Sequence, residues 1–473
     1  MNKEIHKILD SYQNEMIDNL QKLIRIKSLL SESKTDAPFG DGIQESLEFV
    51  LELGREKGFE CTNFNNFACE LNLGDSSASV GVVSHLDVVP EGCGWTFDPF
   101  GGQICDGKIY GRGAVDDKGP LIAAFYACCA IKDSGVHLSK KIKHLIGTNE
   151  ESGKFTCIEY YKELAQVPEC GIVPDSWFPV AYAEKGFYNF QFNKNFNASG
   201  IQVDEFNKLG IRLVDIQGGE ALNIVAPDAS ANFIINDKGY EAILKAVENF
   251  NFQEKVVIEK VGNNLVVKTI GKAAHASTPE IGINAISILL CFLEGLEFLP
   301  AELSQTINQL AKMVGKDTDG VGLGINYCDH TGSLTNNLGM ILYTDEVLNL
   351  KMNIRCPITM TSEVLESKLI VASKIPRMDY ELLHYNPHFY MPKNDPLIEL
   401  LSGVYQEVTG DFKSKPKAHG GGSYARILKN FVPFGPSIEE EELCFHKQDE
   451  YISCERLLLL SKIYAEALYQ LAK

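Results

Sequence analysis

The stretch "SVGVVSHLDVVPEG" (residues 79–92) contains the clearest strand signal in this 473-residue chain. Its first half is an apolar, valine-rich run, which is typical of a β-strand buried on both faces. The run ends on His85 and Asp87, which the alternation of a strand places on the same side. This pattern predicts a parallel sheet with polar groups at its carboxyl edge, where such sheets gather their reactive residues.

A helix and a second strand follow that stretch. "PLIAAFYACCAIKDSG" (residues 120–135) has a proline near its start and a glycine past its end, as helices often do. "KIKHLIGTNEES" (residues 141–152) is again apolar before it turns polar. Strand, helix and strand in this order indicate an α/β fold with a mostly parallel central sheet flanked by helices.

The chain is long enough for more than one hydrophobic core. Near residue 185 the pattern changes to alternating strand-like runs, with two long helical patterns at residues 281–297 and 301–314. We therefore predict an inserted α+β domain over residues 185–388. Residues 1–184 and 389–473 are predicted to form one discontinuous domain around it.

Composition restricts the classes of partner. The net charge of −19 opposes binding to nucleic acid or to anionic lipid. The 13 cysteines show no Cys-x-x-Cys spacing, which indicates reduced thiols in a cytosol. The N-terminal residues form an amphipathic helical pattern without the apolar core of a leader, and no apolar run reaches membrane-spanning length. We expect a soluble cytoplasmic protein with no membrane contact.

Several polar residues interrupt apolar or glycine-rich surroundings. His85 could be a metal ligand oriented by Asp87, Asp87 could reach another group or the substrate, or the histidine could simply be satisfied by a loop carbonyl. Asp116 and Asp117 lie in the turn "YGRGAVDDKGP" (residues 110–120), where acids could also be mere favourable charges at a helix start.

Another pair of acids, Glu150 and Glu151, follows the second strand. Neighbouring side chains point apart there, so one carboxylate could bind a metal while the other faces an attacking water. Asp175 and His446 would each be structural if considered alone. Together the set contains two histidines, several carboxylates and no cysteine ligand, which suits zinc, manganese or cobalt at a hydrolytic site.

The chain resembles the dinuclear metallopeptidases of metallopeptidase family 20, and within it the PepV-type dipeptidases. The resemblance covers essentially the whole chain. It is carried by "SHLDVVP", "WTFDPFGGQICDGKIYGRGAVDDKGP", "GTNEESG", "VPDSWFP", "GKAAHASTPEIGINAI" and "HKQDE".

The resemblance implies a pair of divalent metal ions, zinc first, with manganese or cobalt as alternatives. Asp116 would bridge both ions, His85 and Asp175 would complete one site, and Glu151 and His446 the other. Asp87 would orient His85. Two divalent ions, three carboxylates and one bridging hydroxide sum to a neutral centre. That hydroxide would attack the amide while Glu150 acts as the general base.

The inserted domain would then be a lid. By resemblance, its His275 stabilises the tetrahedral oxyanion. Asn223 is, by the same resemblance, a further candidate for substrate binding in the lid. Arg355 can grip a substrate carboxylate with a bidentate fork, although it could also form a salt bridge within the lid. A glycine-rich turn could present backbone N–H groups to a substrate, or could be only a tight turn; its residues are Gly420, Gly421, Gly422 and Ser423.

These features predict a metal-dependent dipeptidase that cleaves unblocked dipeptides. The alternative is an N-acyl amino acid amidohydrolase or carboxypeptidase of the same family, which would ignore a free N-terminus. A lid of about 200 residues resembles that of relatives that carry the lid histidine in cis, so we predict a monomer.

Overall fold

The computed structural model describes residues 1–196, 203–344, 346–438 and 444–473. These residues divide into two compact units. The first unit comprises Met1–Ala183, Phe389–Ala418 and Gly422–Lys473, and the second comprises Glu184–His388 and His419–Gly421.

The described residues form eleven α-helices. They are α1 Lys3–Arg25, α2 Asp41–Glu56, α3 Lys118–Asp133, α4 Thr156–Leu164, α5 Val203–Leu209, α6 Asp237–Glu248, α7 Ala285–Leu293, α8 Ala301–Val314, α9 Ser362–Ser373, α10 Pro396–Thr409 and α11 Cys454–Ala472. Within these ranges, no helix combines the length and apolar character needed to cross a lipid bilayer.

The same residues form 24 strands, several of them very short. They are β1 Glu60–Phe64, β2 Ala68–Leu73, β3 Ser79–His85, β4 Gln103–Cys105, β5 Lys108–Tyr110, β6 Lys141–Gly147, β7 Cys170–Val173, β8 Ser176–Trp177, β9 Ala181–Glu184, β10 Gly186–Asn195, β11 Ile211–Gly218, β12 Asp228–Ile235, β13 Val256–Val261, β14 Asn264–Ile270, β15 Cys328–Asp329, β16 Gly332–Ser333, β17 Thr335–Thr344, β18 Val347–Cys356, β19 Asp379–Asn386, β20 Phe389–Tyr390, β21 Lys417–His419, β22 Phe431–Pro433, β23 Pro436–Ser437 and β24 Tyr451–Ser453.

The central sheet of the first unit has the strand order β1-β2-β6-β3-β7-β22. Strand β2 is antiparallel to both of its neighbours, whereas β6, β3, β7 and β22 are mutually parallel. Strand β3 is buried along its whole length, as its valine-rich sequence predicts. The predicted mostly parallel sheet is therefore confirmed.

Helices α3 and α11 pack against β3 and β6 in the first unit. Helix α3 also packs against α1 and α11, and all its residues from Lys118 to Ile131 are buried. Helix α1 is capped by Asn2, whose side chain accepts the backbone N–H groups of Glu4 and Ile5. The predicted flanking helices are thus present.

The main sheet of the second unit has eight strands in the order β13-β14-β12-β11-β17-β18-β10-β19. Every strand pair in it is antiparallel. Helix α7 packs against β12, β14 and β17, and its apolar side chains join a core with those of the sheet. This arrangement confirms the α+β class of the insertion.

The two long helical patterns of the insertion correspond to α7 and α8. Helix α8 covers residues 301–314, as predicted, but α7 is much shorter than residues 281–297. The side chain of Asn284 accepts the N–H groups of Ile286 and Ser287, so it caps α7 and sets its start.

Candidate metal centre

Three strand ends bring the predicted ligands to one edge of the central sheet. His85 is the last residue of β3, and it pairs in parallel register with Gly147, the last residue of β6. Glu151 follows β6, and Asp175 follows the neighbouring strand β7. Because parallel strands end at the same edge, residues far apart in the sequence become neighbours there.

Five side chains form two overlapping groups at this edge. His85, Asp116 and Asp175 present ligand atoms within 4.8 Å of one another, and so do Asp116, Glu151 and His446. Asp116 belongs to both groups. The turn before α3 supplies Asp116, and the segment before β24 supplies His446.

The two carboxylate oxygens of Asp116 face different histidines. Its Oδ1 lies 3.1 Å from Nε2 of His85, and its Oδ2 lies 3.1 Å from Nε2 of His446. Nε2 of His446 also lies 3.1 Å from Oε1 of Glu151. A carboxylate with one oxygen in each group has the geometry that a ligand shared by two cations requires.

Asp87 contacts His85 at the end of β3 and the glutamate turn that follows β6. Nδ1 of His85 lies 2.9 Å from the backbone oxygen of Asp87 and 3.5 Å from its carboxylate. Since a carbonyl can only accept, Nδ1 donates a proton to it, which makes Nε2 the ring nitrogen that would bind a cation once it loses its own proton. The Asp87 carboxylate accepts the backbone N–H groups of Glu150 and Glu151, each at 2.9 Å. It therefore fixes the turn that carries the two glutamates.

The electrostatics of the groups favour positive charge. Burial by itself would lower the pKa of His85, but its hydrogen bonds with Asp116 and Asp87 raise that pKa well above the ordinary value. At His446, burial would again lower the pKa, but Glu151 and Asp116 raise it well above the ordinary value. Burial would raise the pKa of Asp116, yet hydrogen bonds from the two histidines hold it well below its usual range.

This donor set fits divalent metal ions. Imidazole nitrogens and carboxylate oxygens are ligands of zinc, manganese and cobalt, and three ligands per ion leave positions open for water or substrate. The three carboxylates of the two groups supply the negative charge that a pair of divalent ions needs.

Each adjacent pair of acids also contains one member that lies outside the two ligand groups. Asp117 is fully buried, and its Oδ2 accepts the backbone N–H of His85 at 3.0 Å. Glu150 is 7% exposed, and within the described ranges its carboxylate accepts no hydrogen bond. Burial raises the pKa of Glu150, and the neighbouring Asp175 raises it further.

The second unit holds most of the other predicted residues. Nδ1 of His275 lies 2.6 Å from the hydroxyl of Ser277. The segment of His275 pairs with that of Asn223, whose backbone oxygen accepts the N–H of Ala276 at 2.9 Å. Asn223 and His275 therefore lie on neighbouring segments of this unit.

Arg355 lies near the end of β18 and is 5% exposed. Its guanidinium donates to the side chain of Asn353 at 2.9 Å and to the backbone oxygen of Gly420 at 2.7 Å. A Cβ atom on Gly420 would lie 2.6 Å from that of Ser277, so this close approach requires glycine. The N–H of Gly421 donates to Nδ1 of His419.

The remaining two residues of the glycine-rich turn, Gly422 and Ser423, belong to the first unit. The hydroxyl of Ser423 accepts the N–H of Ala425 and caps a short 3-10 helix over Tyr424–Arg426. The turn thus has a defined structural role at Ser423, while its predicted contact with substrate stays a prediction.

The sequence matches one family of enzymes over most of its length. Residues 81–470 fit the model described as Peptidase family M20/M25/M40. The chain belongs to this family. It is therefore a hydrolase of peptide bonds, and the predicted family resemblance is confirmed.

Curated relatives of this M20 peptidase align from end to end. A protein of Bacillus subtilis strain 168, named "Putative dipeptidase YtjP", is 36% identical over 469 residues, which is 98% of both chains. A protein of Staphylococcus haemolyticus strain JCSC1435 with the same kind of name is 31% identical over 473 residues, with the same coverage.

Solved structures share the fold at low sequence identity. Human carnosine dipeptidase 1 has a TM-score of 0.58 at 15% identity, over 99% of both chains. The di-peptidase Dug1p of Saccharomyces cerevisiae has a TM-score of 0.59 at 15% identity, over 99% of this chain and 98% of its own. Each of these similarities shows that this chain and the solved structure share a fold.

Sequence reasoning missed three buried charged residues beside the ligands. Lys118, next to the turn of Asp116, donates to the backbone oxygens of Leu23 and Ile26 at 3.0 and 2.7 Å, near the end of α1. Arg112 and Glu450 form a buried ion pair. Arg112 and Lys118 lie in the glycine-rich motif, and Glu450 lies in "HKQDE". The signal that could have identified them was a charged residue inside a motif that also supplies a ligand.

Proposed function

We propose that this M20 peptidase is a dipeptidase that uses two divalent metal ions to hydrolyse the amide bond of unblocked dipeptides. The observation that carries the proposal is the position of Asp116, whose two oxygens each face a different histidine of the paired ligand groups. The dipeptidase names of relatives that align over 98% of the chain support the substrate class.

The five grouped side chains would hold the ions. His85 and Asp175 would complete one site and Glu151 and His446 the other, with Asp116 shared. We propose zinc, with manganese and cobalt as the alternatives. A bound pair of such ions would lower the pKa of a water between them and polarise the scissile carbonyl.

Glu150 is the proposed general base. Its backbone N–H is held by Asp87, and its carboxylate, next in sequence to Glu151, is not committed to a hydrogen bond within the described ranges. A carboxylate in this position can take a proton from the attacking water and deliver it to the leaving amine. Asp87 supports this role by holding the turn and by orienting His85.

We assign the discontinuous domain of residues 1–184 and 389–473 to catalysis and residues 185–388 to a lid. His275 would donate a hydrogen bond to the developing oxyanion. Arg355 is already oriented by Asn353 and Gly420, which reduces the entropy cost of binding a substrate carboxylate. Asn223 and the glycine-rich turn are proposed as further substrate contacts.

A matched set of three substrates tests the proposal. We would measure kcat/KM, with the metal content of the protein, for an alanine-containing dipeptide, its N-acetyl form and its C-terminal amide. The unblocked dipeptide should be the best substrate, and the amide should be poor because it lacks the carboxylate for Arg355. A preference for the N-acetyl compound would contradict the dipeptidase proposal and favour the amidohydrolase.

We also propose that the active form is a monomer that supplies His275 from its own chain. Light scattering at assay concentration, combined with activity measured over a range of dilutions, tests this point. An obligate dimer whose activity falls on dilution would contradict it.

A further inference from the structure

Glu450 is a buried carboxylate that belongs to neither ligand group. It lies four residues after His446 and is fully buried. Its Oε1 accepts the backbone N–H groups of Val115 and Asp116, at 2.9 and 3.2 Å. Its Oε2 accepts from Nη1 of Arg112 at 2.6 Å. Both oxygens are engaged, so this carboxylate acts on the protein and is not placed to bind an ion.

The backbone of Glu450 extends the same attachment. Its carbonyl oxygen accepts the N–H of Gly111 at 2.9 Å, and the next residue, Tyr451, pairs with Tyr110 in a β-ladder. A single residue therefore fastens the turn from Gly111 to Asp116 at both ends. The segment that carries His446 is thereby joined to the turn that carries the shared ligand.

Arg112 connects Glu450 to a third segment that carries a ligand, the segment after His85. Besides Glu450, its guanidinium donates to the backbone oxygens of Lys447, Pro90 and Glu91, at 3.2, 3.3 and 3.4 Å. Pro90 and Glu91 follow the strand end of His85. Arg112 is 2% exposed, so its charge depends on the Glu450 carboxylate for compensation.

We propose that Glu450, paired with Arg112, is a positioning residue that fixes Asp116 between His85 and His446 before metal binds. This inference deepens the proposed function and rests on it. Without the contacts of Glu450, part of the free energy of metal binding would be needed to order the turn that carries Asp116, and metal affinity would fall. Partners that orient ligands in this way typically change metal affinity about 10- to 100-fold when they are lost.

The test compares Glu450→Gln with Glu70→Gln. Glu70 is a matched control because it is also buried in the first unit, with Lys143, Tyr161 and Asn72 as its hydrogen-bond partners. Affinity for zinc would be measured by competition with a chromophoric chelator on metal-free protein. The visible spectrum of the cobalt-loaded protein would report ligand geometry.

We expect Glu450→Gln to weaken zinc binding about 10- to 100-fold and to alter the cobalt spectrum. Glu70→Gln should lower the urea midpoint but leave both metal readouts unchanged. If Glu450→Gln does not fold, Arg112→Lys replaces it. A lysine keeps the charge pair but cannot reach all the backbone oxygens, so zinc binding should weaken about tenfold.

Two results would overturn the inference while leaving the proposed function intact. One is a zinc affinity of Glu450→Gln, or of Arg112→Lys in its place, within twofold of the wild type. The other is an equal loss in Glu70→Gln, because the loss would then reflect stability alone. A wild-type protein that binds no divalent ion would instead overturn the proposed function together with the inference.

Discussion

Two histidines on neighbouring strands of the central sheet have opposite environments. His85 ends β3 and His144 lies inside β6, and each is 1% exposed. His85 has carboxylates beside its ring, and its pKa is raised. The ring of His144 contacts the hydroxyl of Ser84 at 3.2 Å, its Nδ1 has no partner among the described residues, and burial lowers its pKa to about 3.

The difference shows that burial does not make a histidine functional. A residue inside a strand is surrounded by neighbouring strands and helices, which offer few charged groups. A residue at the carboxyl end of a strand meets the loops of several elements at once. His85 therefore gains acids from the turn before α3 and from its own loop, while His144 remains a neutral core residue.

The largest expected effect comes from removing Glu150, the proposed general base, which belongs to neither ligand group. Glu150→Ala should lower kcat by about 10²- to 10⁴-fold, because general-base catalysis contributes about that much. Metal content should stay at the wild-type level. Glu150→Gln, which preserves the shape of the side chain, should lose activity to a similar extent. Equal turnover of Glu150→Ala and the wild type would remove this residue from the mechanism.

Changing each histidine to glutamine tests the comparison directly. His85→Gln should weaken zinc binding by more than about 100-fold, since a lost ligand should cost at least as much as a lost orienting partner. His144→Gln should bind zinc within about twofold of the wild type, because His144 belongs to neither ligand group. A chelator competition on both variants measures the difference. Similar affinities would refute the distinction between the two sites.

Much of the fold is predictable because its signals are local. The valine-rich run before His85 and the apolar helix after Asp117 can be recognised without tertiary information, and both elements are present in the structure. Helix α7 is an exception because an asparagine cap inside a longer apolar pattern shortens it. Local chemistry decided that boundary, and a periodicity argument could not detect it.

The contacts of the candidate site were predictable only in part. The sequence indicated Asp87 as a residue that orients His85, but it left open which atoms make that contact. In the structure the backbone oxygen of Asp87 lies nearer the ring, while its carboxylate holds the glutamate turn. Arg112 and Glu450 were missed because their roles depend on contacts between segments more than 300 residues apart in sequence.

The smallest expected effect is a change in the pH dependence of stability caused by His144. Its pKa is about 3 in the folded protein and about 6.5 in an unfolded chain. Between these values the unfolded state binds a proton that the folded state does not. Stability from this residue is therefore fully present above pH 6.5 and falls as the pH drops toward 3.

Lowering the pH from 7.5 to 5 should cost the wild type about 2 kcal/mol more unfolding free energy than it costs His144→Gln. Urea titrations at both pH values, with chelator present so that metal release does not contribute, measure this difference. Other titrating groups are common to both proteins and cancel. If the unfolding free energies of the two proteins changed equally with pH, His144 would not be a neutral buried histidine, and its contrast with His85 would be refuted.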